Sequence, residues 1–175
     1  MSHLAGLSIP RSAPWEMSAG NPSTRSGGTL PCSTNCGLFG NNYKFAIIFF
    51  DLDRFKSVND TYGHLCGSRL LREIGDLVRK HLRDIDTAYR YGGDEFILIL
   101  PQTSKENALV VARRLCDLLN KTTLHLDDGV RVMITASFGV CSFPDDATSK
   151  VELVRLADQA MYRVKNRSRN DVEGS

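Results

Sequence analysis

The alternation of hydrophobic and polar positions divides the chain into two unequal parts. Residues 1–42 show no periodic apolar pattern, and they hold four of the six prolines together with many serines and glycines. This composition is typical of a disordered or linker-like tail. From Tyr43 onward, short apolar runs and helical periodicities follow one another closely. We therefore predict one domain over residues 43–170 and a C-terminal tail over residues 171–175.

Strands are predicted where short apolar or alternating runs are bounded by turn residues. The fully apolar run Phe45–Phe50 suits a buried central strand. The Gly92-Gly93 pair between two apolar runs indicates a hairpin. The predicted strands are Phe45–Phe50, Thr87–Tyr91, Glu95–Leu100, Thr122–Leu126 and Val130–Ser142, the last two flanking a turn at Asp127-Asp128-Gly129.

Helices are predicted from apolar residues spaced three and four apart. A short helix or turn over Arg54–Tyr62 should end at Gly63, and Ser104 should cap a later helix. The expected core-facing residues are Leu70, Leu71, Ile74, Leu77, Val78 and Leu82 in Ser68–Leu82, then Ala108, Val111, Leu115, Leu118 and Leu119, and finally Val151, Val154, Ala157, Met161 and Val164. The order β-α-α-β-β-α-β-β-α predicts an α+β fold, a mixed sheet with an antiparallel centre and flanking helices.

Composition and charge narrow the class of protein. The chain has 175 residues, of which 42% are hydrophobic and 24% charged, as in ordinary globular domains. A net charge of +2 does not favour nucleic-acid binding. No apolar run is long enough to span a membrane and no signal peptide is visible, so we expect a cytoplasmic protein with reduced cysteines. Cys32 and Cys36 could form half of a metal site, but no second Cys/His pair follows at the usual spacing.

Four acidic residues should meet at one edge of this sheet. Asp51 and Asp53 follow the first strand, while Asp94 and Glu95 follow the Gly92-Gly93 turn. If the hairpin pairs beside the first strand, these carboxylates converge and would repel one another unless a cation lies between them. Oxygen ligands with phosphate oxygens completing the shell suit Mg²⁺, and two such ions can clamp an attacking and a leaving oxygen. For any single residue, a solvated acidic turn is the better interpretation.

Several segments resemble the GGDEF-domain family over about residues 44–170. The sequence RYGGDEF at Arg90–Phe96 is similar to the signature that gives the family its name. The other matching segments are Asp51–His64, Thr135–Val140, and Ala157–Tyr162 followed by Lys165, Arg169 and Asn170. The resemblance implies a palm-like, nucleotidyl cyclase-type fold and diguanylate cyclase activity. Two GTP molecules, one on each subunit of a homodimer, would be condensed to cyclic di-GMP and pyrophosphate with Mg²⁺ or Mn²⁺. Each 3′-hydroxyl would attack the opposite α-phosphate.

The resemblance also implies roles for individual residues. Asp51 and Asp94 would bind the metal together with the carbonyl oxygen of Leu52, and Glu95 would support the metal or help activate the 3′-hydroxyl. Asp53 matches an acidic position of the family without a clear role. The residues that would contact GTP are Asn59 and Ser68 at the guanine, Gly92 and Gly93 at the close backbone approach, and Lys165 and Arg169 at the β- and γ-phosphates.

Each of these assignments has a plainer alternative. Asn59 could be a turn or cap residue. Lys165 and Arg169, four apart and expected on one helix face, could simply complement the helix dipole. Arg83 and Asp86 fit the RxxD pattern of the family's inhibitory site, where the cyclic di-GMP product binds. A surface ion pair is the alternative for that pattern.

Two departures from the family pattern affect the functional prediction. Ser68 stands where the family has an aspartate that helps bind guanine. The segment between Leu38 and Phe45 is too short for the helix that normally precedes the first strand, so one sheet face could be left open for a partner. We therefore predict an active cyclase, with two alternatives: a catalytically weak module that binds cyclic di-GMP or GTP, and a cyclase with altered base choice.

Overall fold

The computed structural model of the chain describes residues 43–126 and 129–175. The predictions for residues 1–42, including Cys32 and Cys36, and for the turn residues Asp127 and Asp128 lie outside these ranges. The elements are β1 Phe45–Leu52, α1 Phe55–Lys80, β2 Thr87–Gly92, β3 Glu95–Pro101, α2 Lys105–Lys121, β4 Thr123–His125, β5 Arg131–Met133, β6 Ala136–Phe143, α3 Lys150–Arg167 and β7 Val172–Gly174.

The main sheet has five strands in the order β2-β3-β1-β6-β7, so β1 lies at its centre. Strand β1 is antiparallel to both β3 and β6, and only the β6–β7 pair is parallel. Every residue of β1 from Ala46 to Leu52 is buried, as expected for an apolar strand covered on both faces. The predicted α+β fold with an antiparallel centre is confirmed.

Helices cover the two faces of the sheet unequally. On one face, Phe50 stacks between Phe96 and Phe138, with ring centroids 4.9 Å apart in each pair, beneath α1 and α2. On the other face, Ile47 and Phe49 pack with Leu153, Ala157 and Met161 of α3. Alternate residues of β1 therefore anchor two separate hydrophobic layers. The side chains of Cys116 and Cys141 are free, buried thiols within these layers.

The helices follow the predicted periodicity except at Val151, which is exposed. The two predicted N-terminal helical segments meet at Gly63, whose φ of 83° and ψ of 161° interrupt α1. Ser104 caps α2 as predicted, since its hydroxyl accepts a hydrogen bond from the Asn107 N–H. The expected burial of Val151 is wrong: it is 78% exposed, because it lies two positions before Leu153 and so on the opposite side of α3.

No helix within the described ranges has the length and apolarity to cross a bilayer.

Two strand predictions need correction. The predicted strand Val130–Ser142 is divided at Ile134 and Thr135 into β5, which pairs with β4 in a separate small sheet, and β6 of the main sheet. The division occurs where the Thr135 carbonyl accepts the Asp53 N–H at 2.8 Å, which fixes the chain as it passes between the sheets. Residues 171–175, set outside the domain by the sequence, contain β7, whose Val172 pairs with Phe138.

Candidate functional site

The hairpin turn between β2 and β3 lies against the end of β1. Asp51 is directly opposite Glu95 in the β1–β3 register, and the Leu52 N–H donates to the Asp94 carbonyl at 3.3 Å. Gly93 has a φ of 51°, which a glycine adopts without strain. The Arg90 Nε donates to the Gly93 carbonyl at 2.8 Å and closes the turn. Gly92, with no side chain, follows a break in the β2–β3 register. The fold thus brings Asp94 and Glu95 to the end of the central strand.

Asp51 is a buried carboxylate at this edge, only 6% exposed. Its Oδ2 lies 2.6 Å from the Lys165 Nζ, whereas its Oδ1 is buried without a hydrogen-bond partner. Burial raises the pKa of Asp51 to about 6, although the Lys165 hydrogen bond opposes this shift and the nearby Asp94 charge adds to it. The Asp51 carboxylate therefore has an unused acceptor that a second positive charge would stabilise.

Glu95 belongs to the same acidic edge. Its pKa is raised by partial burial first, and then by the charges of Asp158 on α3 and of Asp94. Asp158 was not predicted as a site residue, although it lies inside the matched segment Ala157–Tyr162. The packing of α3 over the Ile47 and Phe49 face of the sheet brings it near the hairpin, and its place in that matched segment was the signal that could have indicated it. We refer to Asp51, Asp94, Glu95 and Asp158 as the acidic edge.

The donors at this edge fit a hard divalent cation. Asp51 offers its unpartnered Oδ1, Asp94 is close enough to influence the Asp51 pKa, and the Leu52 backbone bonds that of Asp94 through its N–H. Within residues 43–126 and 129–175, no cluster of three or more His, Cys, Asp or Glu side chains forms a metal site unaided. A cation here would therefore need backbone and substrate phosphate oxygens as further ligands. Such a mixed shell of oxygen ligands is typical of Mg²⁺ and not of zinc.

Asp53 does not join the acidic edge, contrary to the predicted convergence. Its Oδ1 accepts the Ser137 hydroxyl at 2.8 Å, and its Oδ2 accepts the Thr135 hydroxyl at 2.7 Å and the Asn170 N–H at 3.1 Å. Residues two apart in a strand point to the same side of the sheet, so Asp51 and Asp53 would do so if the strand continued. Strand β1 ends at Leu52, however, and the Asp53 side chain therefore points away from that of Asp51. The Asp53 carboxylate is instead a buried acceptor for β6 and for the segment after α3.

The predicted base-reading residues lie together on α1. Asn59 has a buried Oδ1 with no hydrogen-bond partner, and a Cβ added to Gly67 would lie only 1.9 Å from that oxygen. Gly67 therefore leaves the room that the Asn59 side chain occupies. The neighbouring Ser68 is exposed, and its hydroxyl donates to the His64 carbonyl at 2.9 Å. Its proton is thus committed to the helix backbone, so Ser68 offers a ligand only a weak acceptor.

The two predicted phosphate cations occupy different local structures. Lys165 lies on α3 and pairs with Asp51. Arg169 does not share a helix face with it, because α3 ends at Arg167 and both Ser168 and Arg169 donate their N–H groups to the Val164 carbonyl. Arg169 then adopts a φ of 53°. Within the described ranges, its guanidinium has no carboxylate partner.

Arg83 and Asp86 line a separate groove of about 620 Å³. The Asp86 Oδ2 accepts the Arg83 N–H at 2.9 Å, while its Oδ1 is buried and unpartnered. The Arg83 side chain remains 54% exposed, and it donates to the Thr103 hydroxyl at 3.1 Å. Arg114 from α2 also lines the groove, a cation that the RxxD pattern does not indicate because it lies 28 positions beyond Asp86 on another element.

The sequence matches the family model described as diguanylate cyclase, GGDEF domain, over residues 35–171. Among curated proteins, it is 39% identical over 127 residues to diguanylate cyclase A of Treponema denticola, covering 73% of this chain and 34% of that protein. It is also 39% identical over 125 residues to diguanylate cyclase DgcZ of Escherichia coli, covering 71% of this chain and 41% of that protein. The chain thus spans well under half the length of these relatives.

Solved structures of GGDEF domains have the same fold. The GGDEF domain of YfiN from Pseudomonas aeruginosa superposes with a TM-score of 0.73 at 34% identity, covering 76% of this chain and 83% of that one. The GGDEF domain of DgcB from Caulobacter crescentus, solved in complex with cyclic di-GMP, gives a TM-score of 0.70 at 25% identity, covering 75% and 78%. Fold, motif order and family match agree, and the chain belongs to the GGDEF-domain family of diguanylate cyclases.

Proposed function

We propose that this chain condenses two GTP molecules into cyclic di-GMP with release of two pyrophosphates. The observation that carries the proposal is the juxtaposition of Asp51, Asp94 and Glu95 with Lys165 at the end of the central strand. A buried carboxylate with one unpartnered oxygen beside two further carboxylates suits a site for cations and phosphate.

Each side chain has a distinct task in this reaction. The 3′-hydroxyl oxygen of one GTP forms a bond to the α-phosphorus of the other, and the bond from that phosphorus to the β-phosphate bridging oxygen breaks. Asp51, Asp94 and the Leu52 carbonyl would hold Mg²⁺ or Mn²⁺, which neutralises charge developing on the phosphates. Glu95 would support the metal or take up the hydroxyl proton. Lys165 would exchange its ion pair with Asp51 for β- and γ-phosphate oxygens, and Arg169 would bind the same phosphates.

Two copies of the chain would be needed for one product. A single acidic edge positions one GTP, so the attacking hydroxyl must come from a nucleotide on a second copy facing it. The exposed hairpin turn, in which Gly93 and Tyr91 are accessible, leaves room for such an approach. A homodimer formed at least transiently is therefore part of the proposal.

Incubation of the purified chain with GTP and Mg²⁺, followed by chromatographic and mass analysis of the products, tests this function. We expect cyclic di-GMP and pyrophosphate, and no product when the metal is chelated. Binding of GTP or cyclic di-GMP without any product would instead favour a binding module. Cyclic products from other nucleotides at a similar rate would favour altered base choice.

The Ser68→Asp variant should bind GTP about tenfold to a hundredfold more tightly, since a charged acceptor for guanine N–H donors contributes roughly 1.5–3 kcal/mol. The Asn59 Oδ1 beside this position already offers one unpartnered acceptor to the base. Affinity would be measured by calorimetry with 3′-deoxy-GTP, which cannot react. The Ser57→Asp variant, at another exposed serine of α1, is the matched control. Equal effects of the two variants, or no change with Ser68→Asp, would contradict the placement of guanine at Asn59.

A second function, product binding, is favoured by the groove at Arg83 and Asp86. This groove combines an exposed Arg83, the Arg114 cation and the buried unpartnered Asp86 Oδ1. Guanidinium groups suit phosphate diesters, and a carboxylate oxygen suits the N–H donors of guanine. We propose that cyclic di-GMP binds here and lowers the rate of its own synthesis.

The Arg83→Ala variant should weaken cyclic di-GMP binding at this groove by at least about tenfold, as expected for the loss of a charged hydrogen bond. The initial rate of synthesis should stay unchanged, but product inhibition should disappear. Calorimetry with cyclic di-GMP and full progress curves measure the two effects. Arg79→Ala, at an exposed arginine outside the groove, should change neither. Inhibition that persists in Arg83→Ala would place the inhibitory contact elsewhere.

A further inference from the structure

Asp53 is buried and connects three separate parts of the fold. It is 6% exposed, and its two carboxylate oxygens accept three hydrogen bonds, from Thr135 before β6, from Ser137 within β6 and from Asn170 after α3. Its own N–H donates to the Thr135 carbonyl. Both oxygens are therefore satisfied by protein donors, in contrast to the unpartnered Oδ1 of Asp51. A carboxylate whose oxygens are already hydrogen-bonded would be stabilised little further by a metal ion.

The segment that Asp53 holds has an unusual backbone. Arg169 and Asn170 have φ values of 53° and 48°, in the left-handed region that costs a non-glycine residue about 1 kcal/mol or more. Such a conformation persists only where neighbouring contacts enforce it. The Asn170 N–H is held by Asp53, and the Cys116 thiol contacts the Asn170 Oδ1 at 3.5 Å. The chain then enters β7 beside Phe138.

We infer that Asp53 is a positioning residue that holds Arg169 where its guanidinium can bind the β- and γ-phosphates of GTP. The inference rests on the proposed function, because it takes Arg169 as a phosphate contact. Asp53 comes directly after Asp51 and Leu52, the proposed metal ligands at the end of β1. The same stretch of chain therefore also carries the carboxylate that holds the segment with Arg169. The Asp53 carboxylate thereby fixes the distance between the two halves of the triphosphate site. It acts through Asn170 and touches neither metal nor nucleotide.

The test measures how much the β- and γ-phosphates contribute to binding, using the ratio of affinities for 3′-deoxy-GTP and GMP with Mg²⁺ present. In Asp53→Ala the Asn170 N–H loses its acceptor, and we expect this ratio to fall by about tenfold or more, comparable to the loss in Arg169→Ala. GMP affinity should change less than twofold. In the Arg169→Ala background, Asp53→Ala should lower the ratio no further, because the two changes remove one effect.

Two matched variants separate positioning from general stability. Asp53→Asn keeps an oxygen for the Asn170 N–H while its amide can donate to the Ser137 hydroxyl, so it should retain most of the ratio. Ser137→Ala removes only the bond to Oδ1, on the side away from Asn170, and should leave the ratio within about twofold. Equal losses for GMP and 3′-deoxy-GTP in Asp53→Ala, or a further loss in the Arg169→Ala background, would overturn the inference.

Folding of the variants is checked first by thermal melts. If Asp53→Ala does not fold, Asp53→Ser replaces it, since a hydroxyl one atom shorter can bond a neighbouring hydroxyl but leaves Asn170 without its acceptor. Failure of both variants to fold would overturn the positioning role in favour of a purely structural one. Failure of the wild-type chain to bind 3′-deoxy-GTP would instead refute the proposed function itself, so the two failures are distinguishable.

Discussion

Replacing Asp94 by asparagine is expected to lower cyclic di-GMP formation by more than about 100-fold, since loss of even an indirect metal contact typically costs 10- to 100-fold. The variant keeps the shape of the side chain but removes the charge that acts on Asp51 and Glu95. Metal affinity should fall together with the rate, because a neutral amide is a poorer ligand for Mg²⁺ than a carboxylate. Initial rates at saturating GTP over a range of Mg²⁺ concentrations measure both effects.

The matched control is Asp76→Asn, at an exposed aspartate on α1 outside the acidic edge. It should leave both the rate and the Mg²⁺ dependence unchanged, and both variants should melt within a few degrees of the wild type. Synthesis that persists at a substantial rate in Asp94→Asn would refute the assignment of Asp94 as a metal ligand. A similar loss in both variants would indicate a non-specific effect of charge.

Replacing Gly139 by alanine should destabilise the domain by about 3 kcal/mol, at the upper end of overpacking effects. A Cβ at this position would lie 2.0 Å from the Ala157 carbonyl oxygen and 2.5 Å from the Met161 nitrogen. Both are backbone atoms of α3, so no side-chain rotation can relieve the clash, and α3 must move away from β6. Chemical denaturation measures the free energy of unfolding, and the melting temperature should fall by on the order of 10 °C.

Gly75→Ala provides the same substitution without the clash. Apart from the adjacent backbone of α1 itself, no atom lies within 4 Å of a Cβ added at Gly75, so the gain in helix propensity should stabilise the domain by up to about 1 kcal/mol. Because α3 carries Lys165, Gly139→Ala should also weaken GTP binding, whereas Gly75→Ala should not. Comparable stability of the two variants would contradict the close packing of α3 on β6.

The parts of the fold that the sequence predicts well are those with strong local patterns. The apolar run of β1, the glycine pair of the hairpin and the Ser104 cap of α2 each act over a few residues. They suffice to place Asp51, Asp94 and Glu95 at the ends of neighbouring strands. These carboxylates converge only because β1 pairs with β3, a contact between distant segments that the structure shows.

The parts that could not be predicted depend on contacts between distant segments. Strand β7 has only three residues, Val172–Gly174, too few for a recognisable alternation, and it forms by pairing with β6. Arg169 leaves the helix because its N–H and that of Ser168 both bond the Val164 carbonyl. Asp53 has the same chemistry as Asp51, and only its donors from residues 82 to 117 positions away make it a structural acceptor.

The rate of cyclic di-GMP formation per chain, measured against chain concentration with GTP and Mg²⁺ in excess, tests the central proposal most directly. Because each copy positions one GTP and two copies must face each other, the rate per chain should rise with concentration and then level off. Two pyrophosphates should appear for each cyclic di-GMP. Absence of cyclic di-GMP from folded protein that binds 3′-deoxy-GTP, at every concentration, would contradict the assignment of this chain as a diguanylate cyclase.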